Sequence, residues 1–314
     1  MSMRRSDFLR GAFAFGAVTP VARRGLFTGA DGDYDESLAI LVSDPHVKPG
    51  GYQLARLREV VAEILRMNPL PRNVVCFGDI ARSFGRREDY EAGKDPWLDL
   101  VNAGVRVTLG MGNHDRRRNF LEVWPEYSRR TLVEGRIVTV ADIGSCDILM
   151  LDSLFENHSD ETRHCEGDGQ LIGDQWDWLR TALPKWPRPV LVGAHHPVSE
   201  FKEGGGKALG DLLMDSRNVI GYVHGHNHLW DTSLISRSDS AWGNRIWKRS
   251  FGLPSACHWG DIGYVILRTA PGSARAELVM KDHFFPDPEV RTWIDDEIVR
   301  EKKGMNITFR WNNA

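Results

Sequence analysis

Short apolar runs of four to seven residues recur through the first 223 residues, and no other feature constrains the fold of this chain as strongly. Residues 37–43 (SLAILVS), 74–77 (VVCF), 105–109 (VRVTL), 148–151 (ILML), 190–193 (VLVG) and 219–223 (VIGYV) suit strands covered on both faces. Leu54, Leu57, Val61, Ile64 and Leu65 recur at helical spacing between the first two runs, and Pro69 and Pro71 close that segment. Residues 97–101, 176–183 and 208–214 read as further helices. Strands alternating with helices predict an α/β core. After Leu234 the alternation stops, and residues 245–247, 263–267 and 276–279 read as pieces of a mixed or antiparallel second sheet. The charge-rich stretch 82–94 reads as a surface loop able to cap a site.

Composition narrows the classes. With 41% hydrophobic residues in 314, a large core is available. A formal charge of −3 gives no global attraction to nucleic acid or an anionic membrane, so no nucleic-acid partner is favoured. No apolar run reaches the ~20 residues of a membrane-spanning helix. Cys76, Cys146, Cys165 and Cys257 are scattered without CxxC spacing, which argues against a zinc knuckle or a disulfide framework. Residues 1–34 differ from the rest: Arg4-Arg5, Phe8-Leu9 and a mild apolar stretch suggest an export signal, with an atypical twin-arginine-like spacing, or else a basic arm. Export to a bacterial periplasm is expected on the first reading and a cytoplasmic protein otherwise. Residues 35–314 read as one domain.

Each of the five candidate motifs directly follows a strand. Asp44 and His46 (SDPH) follow the first, Asp79 (GDI) the second, and Asn113, His114 and Asp115 (GNHD) the third; His195 (AHHP), then His226 and His228 (GHNH), follow two later ones. Loops at the carboxyl ends of strands in an open α/β sheet converge on one crevice. Imidazole and carboxylate without thiolate suit a pair of divalent transition ions, Zn, Mn, Fe or Co. Gly78, Gly112 and Gly225 precede ligand positions, where a tight turn or close backbone approach would let side chains reach a metal.

Taken in order, DPH, GDI, GNHD, HHP and GHNH resemble the signature of the calcineurin-like metallophosphoesterase superfamily, over roughly 38–230. That resemblance implies a four-layer αββα sandwich of two mixed β-sheets flanked by helices, with the late β-rich segment as its second sheet. It implies two divalent metal ions: Asp44, His46 and His228 on the first, Asn113, His195 and His226 on the second, and Asp79 bridging them. Water activated by the ions would be the nucleophile. His114 would stabilise the transition state or protonate the leaving oxygen, with Asp115 orienting its ring. His196 falls beside the ligand set, and Asp152-Ser153 takes a structural role.

The SDPH start, the HHP motif and the spacing of GHNH are most similar to bacterial class III cyclic-nucleotide and glycerophosphodiester phosphodiesterases. A small phosphodiester is therefore the expected substrate. Phosphomonoesters, nuclease action, or a noncatalytic scaffold on the same fold are the alternatives, and filled ligand positions favour catalysis. Ile80 and Arg82 stand where the plant-type purple acid phosphatases carry their tyrosine ligand. His158, His164 and His258 match no motif and read as surface or rim residues, Arg116, Arg117 and Arg118 as a solvated face rather than a substrate clamp. Trp230, Trp242, Trp247 and Trp259 read mostly as core, with an aromatic wall as the alternative.

Overall fold

The computed structural model describes residues 33–236, 247–284 and 296–311; the N-terminal signal reading and Trp242 lie outside them, apart from Asp33 and Tyr34. The elements run β1 (Tyr34–Val42), α1 (Tyr52–Leu65), β2 (Leu70–Cys76), α2 (Arg87–Asn102), β3 (Arg106–Leu109), α3 (Arg117–Val123), α4 (Tyr127–Arg130), β4 (Thr139–Ile143) and β5 (Cys146–Met150). They continue as α5 (Asp174–Ala182), β6 (Val190–Gly193), α6 (Gly205–Asp215), β7 (Val219–His224), β8 (Thr232–Ser236), β9 (Trp247–Gly252), β10 (Gly260–Ala270), β11 (Ser273–Phe284), α7 (Asp296–Lys302) and β12 (Asn306–Arg310).

Two six-stranded sheets result, ordered β12-β11-β10-β1-β2-β3 and β4-β5-β6-β7-β9-β8. Both are mixed. β1, β2 and β3 are mutually parallel while β10 adds antiparallel to β1; β5, β6 and β7 are parallel while β4 adds antiparallel to β5. This is the expected αββα sandwich, and the pleat of β1 shows how one run serves two layers. Ala39 and Leu41 point into the space between the sheets, against Ile148, Leu191, Val223 and Phe251. Ile40 and Val42 point the other way, joining Leu57 and Val61 of α1 and Trp97 and Leu100 of α2. On the outer face of the second sheet, Leu149, Val192 and Tyr222 meet Leu179 of α5 and Leu209 and Leu213 of α6.

Two sequence expectations need correction. Most of the late strands do not form the second sheet: β9, which begins at Trp247, joins it, but β10, β11 and β12 complete the first, where β10 pairs with β1 from Leu38↔Arg268 to Leu41↔Val265. The second sheet is built from the middle of the chain and closed by β8 and β9. A strand's pattern records that it is buried, not which edge receives it. Second, 82–94 is not a loop. Most of it is the first half of α2, which starts ten residues before the segment read as helix. Buried Pro96 inside this helix hid its length, since proline removes one intrahelical hydrogen bond and usually marks a boundary.

The site faces the carboxyl ends of β1, β2, β3, β6 and β7. Direct backbone bonds lace the loops leaving them: Asp44 N–H donates to Gly78 O (3.1 Å), His46 N–H to Asp79 O (2.9 Å), and Gly225 N–H to His195 O (2.9 Å).

Candidate metal centre

Every residue expected as a ligand lies in this loop cluster. Nε2 of His228 is 3.1 Å from Oδ1 of Asp44 and 3.1 Å from Nε2 of His46. Across the cluster, Nε2 of His195 is 3.1 Å from Oδ1 of Asn113 and 3.2 Å from Nδ1 of His226, which is itself 3.0 Å from the Asn113 oxygen. Oδ2 of Asp79 lies between these halves, 3.6 Å from His46 Nε2 and 3.2 Å from His195 Nε2. The donor atoms of Asp44, His46 and His228, and those of Asp44, Asp79 and His195, are grouped within 4.8 Å of one another, closely enough to hold an ion.

The backbone is strained to achieve this. Among described non-glycine residues, positive φ occurs at Asp44 (51°), His46 (45°), Asp79 (49°), His226 (71°) and His228 (55°), and otherwise at Glu203. Such conformations cost of order 1–3 kcal/mol each and persist where surrounding structure over-determines them. Gly112 and Gly225 permit the close approach of loops: a Cβ on Gly112 would overlap the Asp79 carboxylate, and one on Gly225 would overlap Ser43 Oγ and Asp44 Oδ2.

Hydrogen bonds on the outer side of the rings determine what they present inward. Nδ1 of His46, His195 and His228 donates to the carbonyl oxygens of Arg82 (3.2 Å), Phe77 (2.8 Å) and Trp259 (3.1 Å). Each ring is thereby fixed with Nε2 turned to the centre, the nitrogen whose lone pair a cation would take. Oδ1 of Asp44 is buried without a hydrogen-bond partner. Lone pairs and carboxylate oxygens thus face one another at about 3 Å with few protons to place between them, so this donor set fits divalent cations. The electrostatics make the same demand. Burial alone would lower the pKa of His195, but the Asp79 and Asp44 carboxylates outweigh it and push the value up to about 9. Burial holds His46 well below its ordinary value, leaving that ring neutral.

His114 is at the rim of the cluster, with Nε2 4.0 Å from Asp79 Oδ2 and its backbone N–H donating to Asp79 Oδ1 at 2.8 Å. Asp115 does not orient its ring. Nδ1 of His114 bonds the Ser83 carbonyl at 3.0 Å, whereas the Asp115 carboxylate turns away to accept from the backbone N–H of Ile80, Ala81 and Gly112 and from the Tyr90 hydroxyl.

The arginine run is likewise not a solvated face. Arg117 forms a two-pronged pair with Asp152 (2.6 and 2.7 Å) and reaches Glu156, and Arg116 donates to the carbonyls of His158, Asp160 and Arg163; only Arg118 is exposed. Both inner arginines pin down the segment after β5.

His258 is no surface residue. Its ring is 4.6 Å from that of His46, its Nε2 accepts from Arg82 at 2.6 Å, and burial beside the Arg82 charge pushes its pKa down to about 3. His164 is exposed at the rim, 4.8 Å from the His114 ring. Trp230 is core and Trp259 half-buries its ring against His228 at 4.2 Å. His196 is buried beside His195 and bonds Ser153 Oγ at 2.8 Å. Glu200, which no motif indicated, is 3.0 Å from His226 Nε2.

A family model described as calcineurin-like phosphoesterase matches residues 39–229. A curated protein of Rhodopseudomonas palustris, named a probable cyclic nucleotide phosphodiesterase, is 31% identical over 171 residues, which make up 50% of this chain and 56% of that protein. The match therefore spans little more than half of that relative's length. Among solved structures, PhoD gives a TM-score of 0.53 at 12% identity, covering 82% of this chain and 68% of its own. GAP50, the anchor in the inner membrane complex of Plasmodium, gives 0.53 at 11%, covering 88% and 89%. At such identities the likeness is one of fold.

Proposed function

The chain belongs to the calcineurin-like phosphoesterase family, and from that premise we propose that it hydrolyses a small phosphodiester with two divalent ions held by the cluster described above. The observation that carries this reading is the position of Asp79, whose Oδ2 faces histidine nitrogens of both halves at 3.6 and 3.2 Å. One ion would take Asp44, His46 and His228, the other Asn113, His195 and His226, with Asp79 shared. Bound there, such ions supply activated water and neutralise charge on the phosphoryl, attacking and leaving oxygens. The protein's own share is positioning. Three carbonyls orient the rings of His46, His195 and His228. His114, with Nδ1 committed to Ser83, has only Nε2 to offer the leaving oxygen.

Diester preference is supported by the likeness to the Rhodopseudomonas protein. Fold alone does not carry it, since GAP50 shares the fold and is named an anchor. The test is hydrolysis of bis(p-nitrophenyl) phosphate beside p-nitrophenyl phosphate by chelator-stripped protein given Mn or Zn, with metal content measured in parallel. We expect metal-dependent turnover, faster on the diester, and at least a ~100-fold loss in Asp79→Ala. Faster monoester turnover would move the substrate class, and metal uptake with no turnover of either ester would favour the scaffold.

A further inference from the structure

Three ligand histidines are anchored alike, and the fourth is not. His46, His195 and His228 each give Nδ1 to a main-chain carbonyl and turn Nε2 inward. His226 is reversed: its Nδ1 faces Asn113 and His195, while its Nε2 meets the Glu200 carboxylate, Oε2, at 3.0 Å. The other oxygen of that carboxylate, Oε1, accepts from Asn227 Nδ2 at 3.1 Å. The residue between the two histidines of GHNH therefore has a task, which is to hold the carboxylate against the first of them. Glu200 ends a short 3-10 turn, Val198–Glu200, directly after the HHP motif, and its carbonyl accepts the Gly169 N–H at 2.8 Å.

We propose that Glu200 is a positioning residue for His226 and sets the strength of the metal site that His226 shares with Asn113 and His195. The inference rests on the two-ion reading above. Its physical basis is the kind of anchor each ring has. A carboxylate bears a full charge, so it orients an imidazole and raises its basicity more than a carbonyl dipole does. That help is placed where it is needed. His46 and His228 are almost fully buried, whereas the His226 side chain is 19% exposed. The anchor is also the one that can be lost. The carbonyls of Phe77, Arg82 and Trp259 belong to the backbone, but Glu200 is a side chain 34% exposed that water or a counter-ion can compete for. Removing an outer partner of this type lowers metal affinity by about 10- to 100-fold.

The test titrates Mn(II) into chelator-stripped full-length protein, reading bound metal by equilibrium dialysis and the coupling between ions by electron paramagnetic resonance. Wild type, Glu200→Gln and Asn227→Ala are compared, with Glu203→Gln as a nearby control. Glu200→Gln keeps the shape and removes the charge. The expected result is one Mn(II) held as in wild type, a second weakened about 10- to 100-fold, and replacement of the spin-coupled signal by an uncoupled one at stoichiometric metal. Asn227→Ala should shift the same site in the same direction by less, and Glu203→Gln should leave both unchanged. Unchanged affinities in Glu200→Gln overturn the proposal, and so does equal weakening of both sites, which would mark a general structural defect. Wild type that takes up fewer than two Mn(II) ions refutes the two-ion reading itself, an outcome visible before any variant is compared.

Discussion

The Asp115 carboxylate accepts three backbone N–H groups, of Ile80 (3.2 Å), Ala81 (3.1 Å) and Gly112 (2.9 Å), together with the Tyr90 hydroxyl at 3.0 Å, all of them buried. It ties the loop after β2 to the loop after β3, and thus Asp79 to Asn113, without facing the reaction. Asp115→Ala strands these donors and should cost about 3 kcal/mol or more, while Tyr90→Phe removes one hydroxyl and should cost about 1–2 kcal/mol, as read by urea denaturation. Asp89, buried in the first turn of α2, is a different case. Burial and the neighbouring Glu88 charge push its pKa from the ordinary 3.8 up to about 6, against a backbone N–H from Arg82. The folded protein thus prefers the protonated form, and stability falls as pH rises from near 3.8 through about 6. Asp89→Asn should accordingly raise the melting temperature at about pH 7 and lose that advantage at about pH 4, where wild type is protonated.

Among the elements, α3 acts as a latch. Arg116 and Arg117 lie at its start and hold the segment between β5 and α5 by carbonyl bonds and by the Asp152 pair. That segment brings Ser153 to His196 and His164 to the His114 ring. Arg117→Met leaves the buried Asp152 charge unpaired and should destabilise by about 3–5 kcal/mol. Because the bonds of Arg117 go to Asp152, Leu154 and Glu156 and to no side chain of the candidate metal cluster, the same variant should keep its metal stoichiometry while losing turnover, a split that metal analysis beside kinetics would reveal. If stoichiometry falls together with turnover, the latch reaches further into the cluster than its contacts indicate. Gly112→Ala tests the opposite loop. Its Cβ would meet Asp79, the carboxylate proposed to be shared between the ions, so metal uptake itself should fail.

For the molecule as a whole, the strained loops and facing lone pairs mean that the fold holds together a cluster with too few protons for its acceptors. A ligand that binds only the folded state stabilises it by RT ln(1 + [L]/Kd), about 2.7 kcal/mol at a hundred times Kd. Chelator treatment should therefore lower the melting temperature by several degrees, and added Mn or Zn should restore it. A melting curve indifferent to chelator would show that the cluster holds no ion in solution. The formal charge of −3 adds that any binding of DNA should be weak at physiological salt.

What the sequence determined by itself was local. Apolar runs specify buried strands, and a polar motif that directly follows a strand is delivered by chain geometry to the strand's carboxyl end. Asp44, His46, Asp79, Asn113, His195, His226 and His228 could thus be named before any tertiary contact was known, and the sandwich could be inferred from their resemblance to a family signature. What only the tertiary structure decided were contacts between residues far apart in the chain. That β10 extends the first sheet depends on its pairing with β1 across more than 200 residues of sequence. Arg82 meeting His258, Arg117 meeting Asp152, and Glu200 meeting His226 join residues whose local sequence gives no hint of a partner. A charged side chain reads as exposed in sequence because water is its default partner, and only a fold that supplies a better one can bury it.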